Sequence, residues 1–147
     1  MSRRKKYMKE ISIKDIVNPK DKNVVKRAMI NPVKRALERK EFMAVLCLVC
    51  CFIDGILGDG SEERYKKKLP IFFPTLCNEI KPSIFYDKYR CGIVHNFAIR
   101  SGYGIAENHE INGKYVEEMR IKETGKTMIF LNIERLASDF IKMVDKL

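Results

Sequence analysis

Apolar residues recur at helical spacing over most of the chain, and this pattern predicts several helices. A first short helix is expected over residues 21–30. Asn31 followed by Pro32 has the form of an N-cap and a first helical residue, so a second helix should cover residues 32–39. The next helix, residues 41–57, is strongly apolar and should end at the glycine-containing turn that follows it.

The middle of the chain contains three more helical segments. Ser61 can cap a helix that should stop near Pro70. Residues 75–81 predict one turn of helix at most. Pro82 then opens a longer helix that extends to about Ile99.

Alternating apolar residues predict a small β-hairpin or meander at about residues 103–133. An Asn-Gly pair at 112–113 is a hairpin signal, and a Thr-Gly pair at 124–125 is a second turn. Strands are therefore expected over residues 114–121 and 126–133.

The last segment should be a helix capped by Asn132. Its apolar residues form one stripe: Ile133, Leu136, Ala137, Phe140, Ile141, Val144 and Leu147. The expected fold is mainly α, a bundle of four to five helices with the β-hairpin or meander inserted before the C-terminal helix.

A chain of 147 residues fits a single domain, expected over residues 21–147, after a basic and loosely ordered tail at residues 1–20. The longest apolar run, from Phe42 to Ile53, is about a dozen residues. A bilayer needs roughly 20, so no membrane association is expected. Five cysteines without a signal peptide indicate reduced thiols and a cytoplasmic protein.

The net charge of +10 favours polyanionic partners such as RNA. Basic residues are concentrated in the first nine positions and again between Lys20 and Lys40. A basic tail is commonly a solvated extension, so charge alone leaves both interpretations open.

The helix predicted over residues 82–99 is apolar on two sides. One ridge, at a spacing of four, is formed by Phe85, Tyr89, Ile93 and Phe97. A second cluster, which also contains His95, is formed by Ile84, Cys91, Val94 and Ala98. Such a helix is expected either to lie at the centre of the bundle or to be covered by another chain.

Arg90 and His95 are polar residues on this otherwise apolar helix, and burying them without partners would be costly. The structural interpretation pairs Arg90 with a carboxylate such as Asp54 or Asp87 and bonds His95 to a carbonyl group. The functional interpretation starts from the spacing of the two residues.

The run Tyr-Arg-Cys-Gly-Ile-Val-His-Asn, residues 89–96, resembles the signature of HEPN domains, in which an Arg is followed by four to six residues and a His. The order of the preceding helices is also similar, so the resemblance covers roughly residues 32–99. It implies a HEPN-like helical bundle, with the hairpin and the last helix as additions.

The resemblance implies a metal-independent endoribonuclease without a cofactor. Arg90 would stabilise charge on the phosphate, and His95 would act as general acid or base during attack by a ribose 2′-hydroxyl. Five residues along an ideal helix separate side chains by about 140°, so one helix does not easily aim both at one phosphate. A homodimer formed through the helix at residues 82–99 would bring them together.

Two neighbours of the pair are candidate substrate-binding residues, Asn96 and Tyr86, although Tyr86 also fits a packing role at the edge of the core. Active members of the family often have a polar residue directly after the Arg, where this chain has Cys91. A non-catalytic HEPN-like module that binds nucleic acid or a partner protein is therefore the alternative. A regulatory partner, as for toxin-like members, is also expected.

Two other sites compete with this hypothesis. A tetrahedral zinc site could be formed by Cys47, Cys50, Cys91 and His95, although these cysteines also suit an apolar core. A nucleic-acid-binding helix could present the basic face formed by Arg64, Lys66, Lys67 and Lys68.

Overall fold

The computed structural model describes residues 8–12 and 21–147. Residues 8–12 are without regular secondary structure, and the rest of the tail predicted at residues 1–20 lies outside the described residues. The described chain is mainly helical, with a small three-stranded sheet before the C-terminal helix.

Six helices and three strands follow one another along the described chain. The first four helices are α1 (Lys22–Glu38), α2 (Phe42–Leu57), α3 (Glu62–Phe72) and α4 (Pro74–Glu79). Helix α5 has three successive segments, Pro82–Ile84, a π-helical stretch Phe85–Cys91, and Gly92–Asn96. The remaining elements are β1 (Tyr103–Ala106), a 3₁₀ turn (Asn108–Ile111), β2 (Val116–Arg120), β3 (Thr127–Asn132) and α6 (Ile133–Asp145).

Helix α1 is one continuous helix, so the prediction of two helices divided at Asn31 was wrong. Its N-cap is Asp21, whose carboxylate accepts hydrogen bonds from Asn23 N at 2.9 Å and Val24 N at 3.4 Å. Pro32 lies inside the helix and removes one backbone hydrogen bond. The helix continues through it because buried side chains on both sides of the proline, Ile30 and Val33, share one face against the core.

Two helices in the middle of the chain end at residues other than those predicted. Ser61 caps α3 as predicted, accepting a hydrogen bond from Arg64 N at 3.3 Å. The helix passes through Pro70 and ends at Phe72. Pro74 then starts α4, a helix of six residues close to the single turn expected there.

The core lies between α1, α2 and α6, which pack against one another. Helix α2 contacts the core along most of its length. Its buried residues are Val45, Leu46, Val49, Cys50, Ile53 and Leu57. Phe52 stacks on Phe140 of α6 with ring centroids 6.0 Å apart. The apolar stripe predicted for α6 faces this core, except that Leu147 lies beyond the helix and is exposed.

The sheet has the order β1-β3-β2. The β2–β3 hairpin was predicted, and its turn contains Gly125 at a φ of 70°. Strand β1 was not predicted, and it pairs with β3 in parallel. The Asn-Gly pair at 112–113 therefore joins no antiparallel hairpin. It follows the 3₁₀ turn, where both residues adopt positive φ angles of 52° and 74°.

Within the described residues no single helix is long and apolar enough to cross a bilayer. Helices α2 and α3 satisfy that length and composition together, but they are bent by 97° relative to each other.

Asn132 joins the sheet to α6 and is fully buried. As predicted, it caps the helix, since its Oδ1 accepts a hydrogen bond from Arg135 N at 3.0 Å. Its Nδ2 donates to Asn108 Oδ1 at 2.8 Å and to Lys114 O at 3.0 Å. One amide thus satisfies the start of a helix, a loop carbonyl and a neighbouring side chain.

We predict that Asn132→Ala lowers the free energy of unfolding by about 2–3 kcal/mol, because the cap is lost and a carbonyl loses its donor. Asn108→Ala, which removes a single hydrogen bond of the same network at an exposed residue, should cost about 1 kcal/mol or less. Urea denaturation of the two variants checks this. A loss below about 0.5 kcal/mol for Asn132→Ala would contradict the role given to the amide.

Candidate functional site

Helix α5 ends three residues earlier than the sequence predicted. It stops at Asn96, and Phe97 adopts a left-handed conformation with a φ of 53°. The chain then folds back along the helix, because Ala98 N donates to Gly92 O at 3.2 Å and Arg100 N donates to Lys88 O at 3.0 Å. These bonds hold the returning chain against the helix at two backbone carbonyl groups.

Gly92 makes this return possible. A Cβ atom at this position would lie 2.3 Å from the carbonyl oxygen of Ala98. Since that neighbour is backbone, the chain could not cross so closely over any other residue.

The two apolar sides predicted for α5 are only partly confirmed. Phe85, Tyr89 and Ile93 are buried, but Phe97 is 83% exposed because the helix has already ended. On the other side Cys91 is buried within its own chain. The exposed apolar surface is therefore confined to the end of α5, at Val94, Phe97 and Ala98.

Arg90 forms a close ion pair with Asp54 of α2. Its Nε lies 3.2 Å from both carboxylate oxygens, and its Nη2 lies 2.9 Å from Oδ2. The two side chains are 12% and 22% exposed. The structural interpretation of Arg90 is thus realised with Asp54, whereas Asp87 pairs with Arg100.

Three residues enclose this ion pair. Tyr65 of α3 donates its hydroxyl hydrogen to Asp54 Oδ1. The ring of Tyr86 lies 5.3 Å from the Arg90 guanidinium, and the Tyr86 hydroxyl donates to Gly60 O at 2.9 Å. A Cβ at Gly60 would lie 2.1 Å from Arg90 Nη2, so the guanidinium packs directly on the backbone of the α2–α3 turn. We define Asp54, Gly60, Tyr65, Tyr86 and Arg90 as the arginine cluster.

The surroundings of the cluster shift the pKa of Arg90, of Tyr65 and of the nearby Cys50. The hydrogen bonds that Arg90 donates to the Asp54 carboxylate raise the pKa of Arg90, so the guanidinium stays charged. Burial raises the pKa of the Tyr65 hydroxyl and of the Cys50 thiol, so both stay protonated. Arg90, Tyr65 and Cys50 are therefore unsuited to proton transfer at neutral pH.

His95 lies outside the arginine cluster. It is exposed in the last turn of α5, as is Asn96, and none of the hydrogen bonds among the described residues involves either side chain. The Arg–His pair is thus divided: Arg90 is held inside the chain, and His95 faces solvent. Tyr86, predicted as a substrate-binding residue, packs inside the cluster and has its hydroxyl already bonded.

The four residues of the zinc alternative do not assemble into a site. In the part of the chain that the structure describes, which includes all four, no three His, Cys, Asp or Glu residues are grouped to hold a metal ion. The five cysteines are unbridged. Cys50 and Cys91 are buried in their own chain, where they behave as small apolar side chains.

The basic residues of α3 are largely neutralised. Lys66 pairs with Glu62 at 3.5 Å, Lys67 with Glu63 at 3.2 Å, and Arg64 with Asp59 at 3.7 Å. This helix therefore presents little unbalanced positive charge for binding nucleic acid.

Comparisons with protein-family models, with curated proteins and with solved structures found no match to this chain.

We predict that Asp54→Asn lowers the free energy of unfolding by about 2–3 kcal/mol, because it leaves the guanidinium of Arg90 with no opposite charge in a mostly buried place. The matched control is Asp87→Asn, which breaks an ion pair whose side chains are 45% and 38% exposed. It should cost less than about 1 kcal/mol. Chemical denaturation of both variants measures the difference, and equal losses would show that the Asp54 pair is no more than a surface contact.

Proposed function

We propose that this chain is a HEPN-like helical protein that cleaves RNA without a metal ion, with His95 as the proton-transfer residue. The observation that carries the proposal is the exposed imidazole of His95, held at the end of a helix whose neighbouring Arg90 is fixed by Asp54. The resemblance of residues 89–96 to the HEPN signature supplies the reaction.

The reaction needs one base and one acid. The base takes the proton of a ribose 2′-hydroxyl, the O2′–P bond forms, and the P–O5′ bond breaks. The leaving O5′ takes a proton from the acid. A histidine suits both tasks near neutral pH, but a single imidazole does not do both at once. A second copy of the chain would supply a second His95.

Arg90 has limited freedom in this scheme. Asp54 occupies its Nε and Nη2, and the only hydrogen bond of Nη1 among the described residues is to Cys91 Sγ at 3.8 Å. One edge of the guanidinium therefore remains for a phosphate oxygen. Because Asp54 holds the guanidinium of Arg90 in place, the side chain needs little reorganisation when negative charge develops on the phosphate.

Self-association would occur through the end of α5. Val94 and Phe97 are 39% and 83% exposed, and they lie on either side of His95 in the sequence. A two-fold axis close to these residues would bury Phe97 and bring two His95 side chains near each other. The proposed dimer therefore uses the end of the helix rather than the whole of residues 82–99.

A second candidate function is a non-catalytic module that binds RNA or a regulatory protein. The observation that favours it is the bidentate ion pair between Arg90 and Asp54, which gives the guanidinium a partner of opposite charge within the chain. In that case Arg90 serves the fold alone, and His95 is a surface residue.

We predict that the wild-type protein cleaves labelled single-stranded RNA in excess EDTA, and that His95→Ala abolishes cleavage because the proton-transfer group is lost. His109→Ala replaces the other histidine, which is also exposed, and should leave the rate unchanged. Gel analysis of the RNA measures both rates.

Arg90→Ala alone is a poor test, because it would leave Asp54 unpaired and destabilise the fold. The double variant Arg90→Gln with Asp54→Asn removes both charges and retains hydrogen-bonding side chains. Lost cleavage in a stably folded double variant would mean that Arg90 acts on the phosphate. Intact RNA in every sample, with RNA binding retained, would overturn the nuclease proposal in favour of the non-catalytic module.

We predict that Phe97→Gly abolishes dimerisation while the free energy of unfolding of the monomer stays the same or rises by up to about 1 kcal/mol. Glycine adopts the left-handed conformation without strain, and the exposed ring contributes little to the core. Ile71→Ala, at an exposed apolar residue on α3, should leave the dimer intact. Sedimentation equilibrium measures the association, and a Phe97→Gly dimer as strong as wild type would place the interface elsewhere.

A further inference from the structure

The positive charge of the described chain is concentrated on α1. Lys22, Arg27, Lys34, Arg35, Arg39 and Lys40 are all exposed on or directly after this helix. The only acidic residue of α1 is Glu38, the last residue of the helix. We call these six cations the α1 basic surface.

None of the seven ion pairs among the described residues involves this surface. This contrasts with α3, where three of the four cations pair with Glu62, Glu63 and Asp59. Six like charges close together with no ion pair among the described residues repel one another and oppose folding, and such an arrangement attracts an external polyanion.

The helix is a firm support for such a ligand. Its buried face is anchored in the core by Ile30, Val33 and Ala36. Lys26, the remaining basic residue of α1, donates to Asp145 O at 3.0 Å and so ties the helix to the end of α6. At 1.5 Å per residue the 17 residues of α1 extend over about 25 Å, which spans several phosphate groups.

The chemistry of the surface selects the phosphate backbone and not the bases. Helix α1 contains no aromatic residue, so it offers no ring for base stacking. The contacts that lysine and arginine side chains make with phosphates carry no base sequence information.

We propose that the α1 basic surface is a docking site for the phosphate backbone of RNA, separate from His95 and independent of base sequence. This inference deepens the proposed function, because it identifies the surface that would hold a long RNA strand during cleavage. Because the surface recognises phosphates, single-stranded DNA should bind it equally well, although DNA has no 2′-hydroxyl to be cleaved.

The test compares two variants of equal charge. The α1 variant carries Arg27→Gln, Lys34→Gln, Arg35→Gln and Arg39→Gln, and the α3 variant carries Arg64→Gln, Lys66→Gln, Lys67→Gln and Lys68→Gln. Glutamine keeps the helix propensity of the residues it replaces, and thermal melts followed by circular dichroism check that both variants fold. Binding of a fluorescent 20-nucleotide RNA is measured by anisotropy between 50 and 300 mM salt.

For the α1 variant, affinity at 100 mM salt should fall by at least about tenfold, and the slope of log K against log salt should become shallower by about 3, since each phosphate contact contributes about 0.7. The α3 variant should retain most of the wild-type affinity. Equal losses in the two variants, or an unchanged slope for the α1 variant, would overturn the proposal. Binding to phosphatidylserine vesicles that depends on α1, with RNA binding unchanged, would assign the surface to a membrane instead.

Cleavage rates measured for the same variants in excess EDTA separate this inference from the nuclease proposal. RNA binding that depends on α1, without any cleavage, would leave the docking surface valid and remove the nuclease. Cleavage by the α1 variant with an unchanged KM for long RNA would remove the docking surface and leave the nuclease.

Discussion

The ion pair between Arg90 and Asp54 is the contact on which the arrangement of the middle of the chain depends. It joins α2 to α5, and Tyr65 adds α3 to the same carboxylate. The guanidinium also packs on the backbone of Gly60, so the turn between α2 and α3 is shaped around it. Among the described residues Arg90 has one partner of opposite sign, and removing that partner from a mostly buried charge costs several kcal/mol, about 3–5. The pair therefore holds the three helices in a fixed relation.

This constraint separates the two residues of the Arg–His pair. Arg90 lies in the π-helical part of α5 and faces the interior, whereas His95 lies in the last turn and is exposed. The exposed Phe97 follows directly, because the return of the chain over Gly92 forces it into a left-handed conformation. An exposed aromatic residue in a strained conformation beside a solvent-facing histidine is typical of a functional surface rather than a core.

Short-range signals in the sequence predicted much of the fold. The caps at Ser61 and Asn132, the buried face of α6 and the β2–β3 hairpin depend on neighbouring residues and were confirmed. Strand β1 and its parallel pairing depend on tertiary contacts, which local patterns do not contain. The same holds for the continuity of α1 through Pro32 and for the role of Gly60. In the candidate site, the sequence predicted Asp54 as one of two possible partners of Arg90. Nothing near Tyr65 in the sequence indicated that its hydroxyl donates a hydrogen bond to the same carboxylate.

In the proposed function His95 transfers the proton, Arg90 both holds the fold and stabilises charge on the phosphate, and α1 binds the RNA strand. The measurement that tests its central claim most directly is mass spectrometry of the ends of RNA incubated with the protein in EDTA. The account predicts 2′,3′-cyclic phosphate and 5′-hydroxyl ends with the wild-type protein and uncut RNA with His95→Ala. The same cyclic ends formed by the His95→Ala variant, or 5′-phosphate ends formed by the wild type, would contradict it.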